Sequence, residues 1–284
     1  VITSNSASGM LTLLNLKGSD IEILDTELMA ERSESIRIIN AVDAQVEIEN
    51  SALMYGAGEV RSTGIIQTGG KLVITKTHIG NGSRPAHIAT GIEIDNVNAQ
   101  FNGLTLEGNA ALGLVQIRSN NSSLSISSST LRNKGTREFS YLLRTYGGSC
   151  SVKDSELKAD SSYDVYGIEL HDNSVALLQN SLLELQAGEN NTYGVIAEGP
   201  VVCTVQESRL RVMDGAAGSD AGNAAPQAVV QETSSADIKL VNNRFSGWNI
   251  LLKTPARSAR SIEELEAEVP PFDQRTPHRG NRVE

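Results

Sequence analysis

The sequence predicts an all-β solenoid of about nine to ten stacked coils, and three observations support this. Nine copies of one short phrase lie between Ile21 and Phe245, and successive copies begin 25, 26, 27, 25, 26, 26, 27 and 35 residues apart. Each copy has two apolar residues two positions apart, a polar bend, and then a third apolar residue. A fixed period is typical of stacked repeats, and apolar residues two apart are typical of a pleated strand.

The three apolar positions of each copy form three columns when the coils are stacked. All 27 positions are apolar. The first column contains Ile21, Val46, Leu72, Ala99, Leu124, Cys150, Ala176, Cys203 and Ile238. The second contains Ile23, Ile48, Ile74, Phe101, Ile126, Val152, Leu178, Val205 and Leu240. The third contains Leu28, Leu53, Ile79, Leu106, Leu131, Leu157, Leu183, Leu210 and Phe245. Each coil buries such residues only against its neighbours, so they predict one continuous core.

A second apolar strand precedes the phrase in most coils, as in Ile92 and Ile94 or Ile168 and Leu170. A glycine opens this strand in five coils, where we expect the chain to turn tightly. These glycines are Gly64, Gly91, Gly113, Gly167 and Gly194.

A hydroxyl residue stands two positions before the third column in seven of the nine copies, and Leu104 and Asn243 are the exceptions. The chain must bend here, because five residues separate the second and third columns and a straight strand cannot turn both inward. Ser and Thr hydroxyls can satisfy backbone groups at such a bend, so we expect a structural role. The seven are Thr26, Ser51, Thr77, Ser129, Ser155, Ser181 and Ser208.

The stretches Gly-Ile-Glu-Leu-His-Asp-Asn-Ser at 167–174 and Gln-Asn-Ser-Leu-Leu at 179–183 carry a resemblance to a known architecture. They resemble the right-handed parallel β-helix of the pectin-lyase-like superfamily. The resemblance covers roughly residues 10–254 and implies a fold more than a function, since this scaffold serves lyases, hydrolases, adhesins and phage tail proteins. It implies a parallel β-helix over residues 1–254.

Residues 255–284 are expected to form a C-terminal capping helix and tail, because the repeat stops after Pro255. Ser261 and Glu264 have the spacing of a capping box and predict a helix through Val269. The remaining tail from Phe272 is predicted to be weakly ordered.

Composition excludes several classes of partner. A net charge of −10 argues against a nucleic acid or an anionic membrane, and no apolar run is long enough to span a bilayer. Cys150 and Cys203 are two coils apart, about 10 Å at the strand spacing, which predicts two free thiols.

Titratable groups are concentrated on the outward face of the opening strands. If Ile94, Ile117, Leu143 and Leu170 point inward, six such groups form one solvent-facing strip over four coils, with Asp95, Arg118, Arg144 and His171 in line. The six are Glu93, Asp95, Arg118, Arg144, Glu169 and His171.

This strip can be interpreted as a catalytic site or as a binding site. It can also be an ordinary solvent-facing surface with residues of both charges. Glu93 and Asp95 would be about 6.6 Å apart at Cα, conceivable for a pair of glycosidase carboxylates. Arg118 and Arg144 would be adjacent, and an anionic ligand such as a uronate could offset their repulsion. The resemblance adds that an arginine base is known lyase chemistry.

Tyr141, Tyr166 and Tyr193 precede the opening strand in three successive coils and should stack at one corner. Stacked tyrosines can contact sugar rings, or they can fill a turn and shield the core.

The motifs of the family's enzymes are missing, which favours a protein without catalysis. There is no Asn-Thr-Asp, Asp-Asp or Gly-His-Gly set of the polygalacturonases and no stacked aspartates for the calcium of a pectate lyase. The four histidines, His78, His87, His171 and His278, have no metal-ligand spacing, so neither a metal nor a cofactor is predicted.

We therefore predict a bacterial secreted or cell-surface protein, extracytoplasmic, that serves as an adhesin-like binding or structural module. Its expected partner is an acidic polysaccharide or a host or cell-surface molecule. The alternative is a polysaccharide lyase or glycoside hydrolase acting on acidic polysaccharide. Since the chain opens on Val1 almost directly before a strand-like stretch, further coils or domains of a longer parent protein are also expected.

Overall fold

In the computed structural model, the described residues are 2–4, 9–81, 86–160, 163–213, 225–255, 257–266 and 279–284. They form an all-β structure, a parallel β-solenoid of about nine stacked turns with one short helix. The predicted fold class is therefore confirmed.

The elements follow one another in a regular order along the chain. They are β1 (Ile2–Ser4), β2 (Met10–Lys17), β3 (Asp20–Leu24), β4 (Glu27–Glu49), β5 (Ala52–Thr75), β6 (His78–Asn81), β7 (Ala86–Asp95), β8 (Asn98–Asn102), β9 (Thr105–Gly108), β10 (Ala110–Ser127), β11 (Thr130–Asn133), β12 (Phe139–Lys153), β13 (Glu156–Ala159), β14 (Asp164–His171), β15 (Val175–Gln179), β16 (Leu182–Gln186), β17 (Asn191–Glu198), β18 (Val202–Gln206), β19 (Arg209–Met213), β20 (Gln227–Gln231), β21 (Asp237–Val241), β22 (Arg244–Ser246), β23 (Ile250–Thr254), β24 (Arg257–Ala259), α1 (Ile262–Glu266) and β25 (Arg282–Val283).

Three parallel sheets run along the solenoid, and each coil contributes one stretch to each of them. The opening strands pair from β7 through β10, β12, β14 and β17 to β20 and β23 and form the first sheet. The stretches with the first and second apolar columns form the second sheet, and those with the third column form the third. The long strands β4, β5, β10 and β12 continue around a corner from one sheet into the next.

The three apolar columns lie in register and form the core, as the sequence predicts. Ile126 pairs with Phe101 on one side and Val152 on the other, and Leu131 pairs with Leu106 and Leu157. Of the 27 column residues, all but Ile21 are buried. Ile21 belongs to the first coil, which has a neighbouring coil on one side only among the described residues.

The predicted role of the bend residues is confirmed by their hydrogen bonds, and we call Thr26, Ser51, Thr77, Ser129, Ser155, Ser181 and Ser208 the bend column. The backbone N–H of Ser129 donates to Ser155 Oγ at 3.1 Å, and Ser155 Oγ donates to the Lys153 carbonyl at 2.6 Å. The same two bonds recur at other coils. Asn243, an exception in residue type, accepts the bond from Ser208 N with its side-chain oxygen at 3.0 Å.

The residue just before each bend position has a left-handed backbone, which bends the chain from the second sheet into the third. Asn50, Lys76 and Asp154 have φ values of 47°, 44° and 50°. Only glycine reaches this conformation without steric cost, and asparagine and aspartate tolerate it better than other residues. A lysine at such a position therefore carries some strain.

In four coils a glycine occupies the point where the opening strand turns inward, and a Cβ there would crowd the backbone of the next coil. A Cβ on Gly64 would lie 2.5 Å from the Gly91 carbonyl oxygen of the next coil. Gly113 does not share this position, because it pairs with Ile88 and Phe139, and Gln116 stands three residues later at the turn. Counting Gly113 with the other glycines was wrong, and the register explains why.

The C-terminal segments cover the last coil. Strand β24 pairs antiparallel with β23, and Leu265 of α1 is completely buried. The capping box forms in part, since Glu264 N donates to Ser261 Oγ at 3.2 Å. Residues 267–278 lie outside the described residues. The end of the tail is ordered, contrary to expectation, because β25 adds a strand to the third sheet beside β22.

The two cysteines are free thiols, as predicted. Cys150 and Cys203 each pair with Ala176, so one coil separates them. Burial raises the pKa of each thiol to about 12, which keeps both protonated and unreactive in the folded protein. Among the described residues, no helix has the length and apolar character needed to cross a bilayer.

Candidate functional site

Four of the predicted site residues form one line on the outward side of the first sheet. Arg118 pairs with Glu93 on one side and Arg144 on the other, and Arg144 pairs with Glu169. We call Glu93, Arg118, Arg144 and Glu169 the charged column. Strands β7, β10, β12 and β14 each contribute one member.

The other two predicted residues lie in a neighbouring line. Asp95 pairs with Asn120, and His171 pairs with Tyr146 and with Glu198. We call Asp95, Asn120, Tyr146, His171 and Glu198 the histidine column. The expected alignment of Asp95 with Arg118, and of His171 with Arg144, was therefore wrong by two residues.

The error comes from the inward residues. Ile117 pairs with Ile92 and Leu143 pairs with Ile168, not with Ile94 and Leu170. Each opening strand has two inward positions, and in β10 and β12 the second is occupied by the buried polar residues Ser119 and Thr145. The prediction relied on apolar residues alone. It therefore aligned Ile117 and Leu143, at the first inward position of their strands, with Ile94 and Leu170, at the second.

The glutamates at the two ends of the charged column offset the repulsion between its arginines. Glu93 lies 3.0 Å from the Arg61 guanidinium and 3.9 Å from that of Arg118. Both side-chain oxygens of Glu169 face the Arg144 guanidinium. With Arg61 included, three arginines and two glutamates leave one positive charge in excess, and Arg118 has the longer, weaker ion pair.

Glu169 departs from the expected solvent-facing strip, because only 5% of its surface is exposed. Arg144 covers it, and the Arg144 guanidinium carbon lies 4.8 Å from the ring centre of Tyr141 and 5.2 Å from that of Tyr146. Two aromatic rings and a buried carboxylate thus fix the Arg144 side chain.

The three predicted tyrosines lie in register at one corner, as expected, but only two of their rings stack. Tyr141 and Tyr166 are parallel, with ring centres 4.3 Å apart, while Tyr166 and Tyr193 are tilted at 5.5 Å. Partial burial raises the pKa of Tyr166 to about 12 and also raises that of Tyr141, so both phenols are neutral donors at physiological pH. We call Tyr141, Tyr166 and Tyr193 the tyrosine ladder. Since Tyr141 and Tyr166 cover each other's faces, this ladder offers a ligand mainly ring edges and hydroxyls.

His171 lies between two carboxylates. Its Nε2 lies 3.3 Å from Glu169 Oε1, and its Nδ1 lies 3.1 Å from Glu198 Oε2. The ring stacks on Tyr146 with centres 4.6 Å apart and planes 5° from parallel. Glu198 was missed from the sequence, although it follows His171 by 27 residues, one of the steps of the repeat.

A polar groove lies on the third sheet, and it was not predicted from the sequence. Its volume is about 370 Å³, and His78, Glu107 and Lys134 are among its lining residues. A hydrogen bond from Lys134 lowers the pKa of Glu107. His78 thus gives a second half-buried histidine near a glutamate, on a different face from His171.

No family model, curated protein or solved structure matches this chain. The function is therefore inferred from the geometry of the site.

Proposed function

We propose that the protein is a binding module of a secreted or cell-surface protein with a pectin-lyase-like β-helix, and that its first sheet holds an acidic polysaccharide. The supporting observation is the pair Arg118 and Arg144, which stand side by side on β10 and β12 with one positive charge in excess.

Arg118 is the residue available to a ligand. Its side chain is 34% exposed, and its glutamate partner Glu93 is shared with Arg61. A guanidinium with free donors binds a carboxylate through two parallel hydrogen bonds, the geometry that a uronate residue offers.

Arg144 and the tyrosine ladder form the wall beside Arg118. Arg144 is already committed to Glu169 and to the rings of Tyr141 and Tyr146. The ring edges and hydroxyls of Tyr141 and Tyr166 suit hydrogen bonding to sugar hydroxyls better than stacking on a sugar face. Because the whole chain carries a charge of −10, one local positive charge should give a modest affinity.

A panel of acidic and neutral polysaccharides tests the proposal with three proteins. The wild type should bind a uronate polymer but not a neutral glucan, and Arg118→Ala should weaken this binding at least tenfold. Arg211→Ala is the matched control, since Arg211 is exposed and pairs with Glu184 on the third sheet. Equal binding by the two variants, or no binding to any acidic polymer by the wild type, would overturn the proposal.

Catalysis on the same polysaccharides is the second candidate, favoured by the placement of His171 between two carboxylates. Such an arrangement can position an imidazole for proton transfer. A lyase would release unsaturated sugars that absorb in the ultraviolet, and a hydrolase would release reducing ends. If neither appears with any acidic polymer that the wild type binds, the binding role stands alone.

A further inference from the structure

The ends of β14 and β17 bring His171 and Glu198 together at the surface. His171 Nδ1 lies 3.1 Å from Glu198 Oε2. In tetrahedral zinc sites a nitrogen and an oxygen ligand are each about 2.1 Å from the metal, which places them about 3.4 Å apart. His171 Nδ1 and Glu198 Oε2 would therefore have to move apart by only about 0.3 Å to bind an ion between them.

The other side of the imidazole ring faces a carboxylate that can orient it, although His171 Nε2 makes no hydrogen bond of good geometry. A histidine that binds a metal usually directs its second ring nitrogen to a carboxylate, which fixes the ring orientation. Here Glu169 Oε1 lies 3.3 Å from His171 Nε2, and Glu169 is buried and held by Arg144. Stacking on Tyr146 fixes the ring plane as well.

The local charge independently favours a cation. Ala197 pairs with Gln231, and Glu232 N donates to the Ala197 carbonyl at 2.9 Å, so the next residues, Glu198 and Glu232, stand side by side on β17 and at the end of β20. Like charges in register on adjacent strands destabilise a sheet unless something offsets them. Glu198 has a side-chain exposure of 44%, and Glu232 is also exposed, so both are accessible from solvent.

We propose that His171 Nδ1 and Glu198 bind a divalent transition-metal ion of the Zn²⁺ type, with Glu169 as the group that orients the imidazole. The nitrogen ligand selects such ions over Ca²⁺ and Mg²⁺, which prefer oxygen ligands. Glu169 stays out of the coordination shell because both of its oxygens face Arg144. One side-chain N or O atom each of Glu169, His171 and Glu198 lies within 4.8 Å of the other two, so the orienting group and both ligands are close together. The sequence suggested no metal site because its ligands come from different coils.

The site rests on residues other than Arg118, so it is independent of polysaccharide binding. Calorimetric titration of the chelator-treated protein with Zn²⁺, and separately with Mg²⁺, tests it. The wild type should bind one Zn²⁺ and show a higher melting temperature with the ion, and Mg²⁺ should do neither.

Four variants distinguish this site from chance binding to surface histidines. His171→Ala and Glu198→Gln should each weaken Zn²⁺ binding at least tenfold, and Glu169→Gln should weaken it 10- to 100-fold, as expected for the orienting carboxylate. His78→Ala, which removes a histidine near Glu107 on another face, should leave the affinity unchanged. Because Glu198 is half-exposed, Glu198→Gln should fold normally. A loss of Zn²⁺ binding in this variant would therefore not result from misfolding. Equal affinity in His171→Ala and His78→Ala, or no Zn²⁺ binding by the wild type, would overturn the proposal.

Discussion

The bend column and the charged column both run along the solenoid, but their side chains have different bonding partners. In the bend column, each hydroxyl from Ser51 to Ser208 bonds to backbone groups of its own coil and the adjacent coil. In the charged column, side chains bond mainly to one another. Because the backbone is nearly the same in every coil, the bend column keeps its residue type. The charged column runs Glu, Arg, Arg, Glu over four coils, and such variation in residue type is what a ligand site on a repeat scaffold requires.

The largest expected effect concerns the apolar columns, which set the register of both polar columns. Ile126→Asp would bury a carboxylate between Phe101 and Val152 and should lower the free energy of unfolding by about 4 kcal/mol or more. Ser125→Asp, one residue earlier and exposed, should cost less than about 0.5 kcal/mol. Urea unfolding measures both. Similar small losses would mean that the assigned register is wrong.

The next largest effect concerns Arg144 and Glu169, the pair through which the charged column should also contribute to stability. Arg144→Ala leaves the buried Glu169 without its arginine partner, and we expect a loss of about 3 kcal/mol. Adding Glu169→Gln removes the stranded charge and should recover much of that loss in the same unfolding measurement. If the double variant is less stable than Arg144→Ala, the pair does not behave as a buried ion pair.

The bend column should respond more weakly. Ser155→Ala removes the acceptor for Ser129 N and the donor to the Lys153 carbonyl, and should cost about 1 to 2 kcal/mol. Ser125→Ala, at an exposed position of the second sheet, is the control and should be nearly neutral. A neutral Ser155→Ala would show that these hydrogen bonds are replaced by water.

The smallest effect tests the left-handed residues that precede the bends. Lys76→Gly relieves a φ of 44° and should stabilise the protein by about 0.5 to 1 kcal/mol despite the flexibility that glycine adds to the unfolded chain. Lys71→Gly, in an exposed and extended part of β5, should destabilise it. If Lys76→Gly and Lys71→Gly change the melting temperature in the same direction, this account of the bend is wrong.

The contrast between the columns also explains what could be predicted from the sequence. The apolar columns and the bend column repeat one residue type at a fixed step, so their register was correct, down to the pairing of Ile126 with Phe101. The first sheet was misaligned because Ser119 and Thr145 are polar residues at inward positions. The partners of His171 depend on that alignment, and so Glu198 was missed.

The most direct test of the contrast measures stability and ligand affinity on the same two variants. Ser155→Ala should lower the free energy of unfolding and leave the affinity for a uronate polymer unchanged. Arg118→Ala should do the reverse, with a weaker affinity and a free energy of unfolding within about 0.5 kcal/mol of the wild type. If Arg118→Ala instead lowers stability and binds the polymer as the wild type does, the charged column is structural, and the proposed site is wrong.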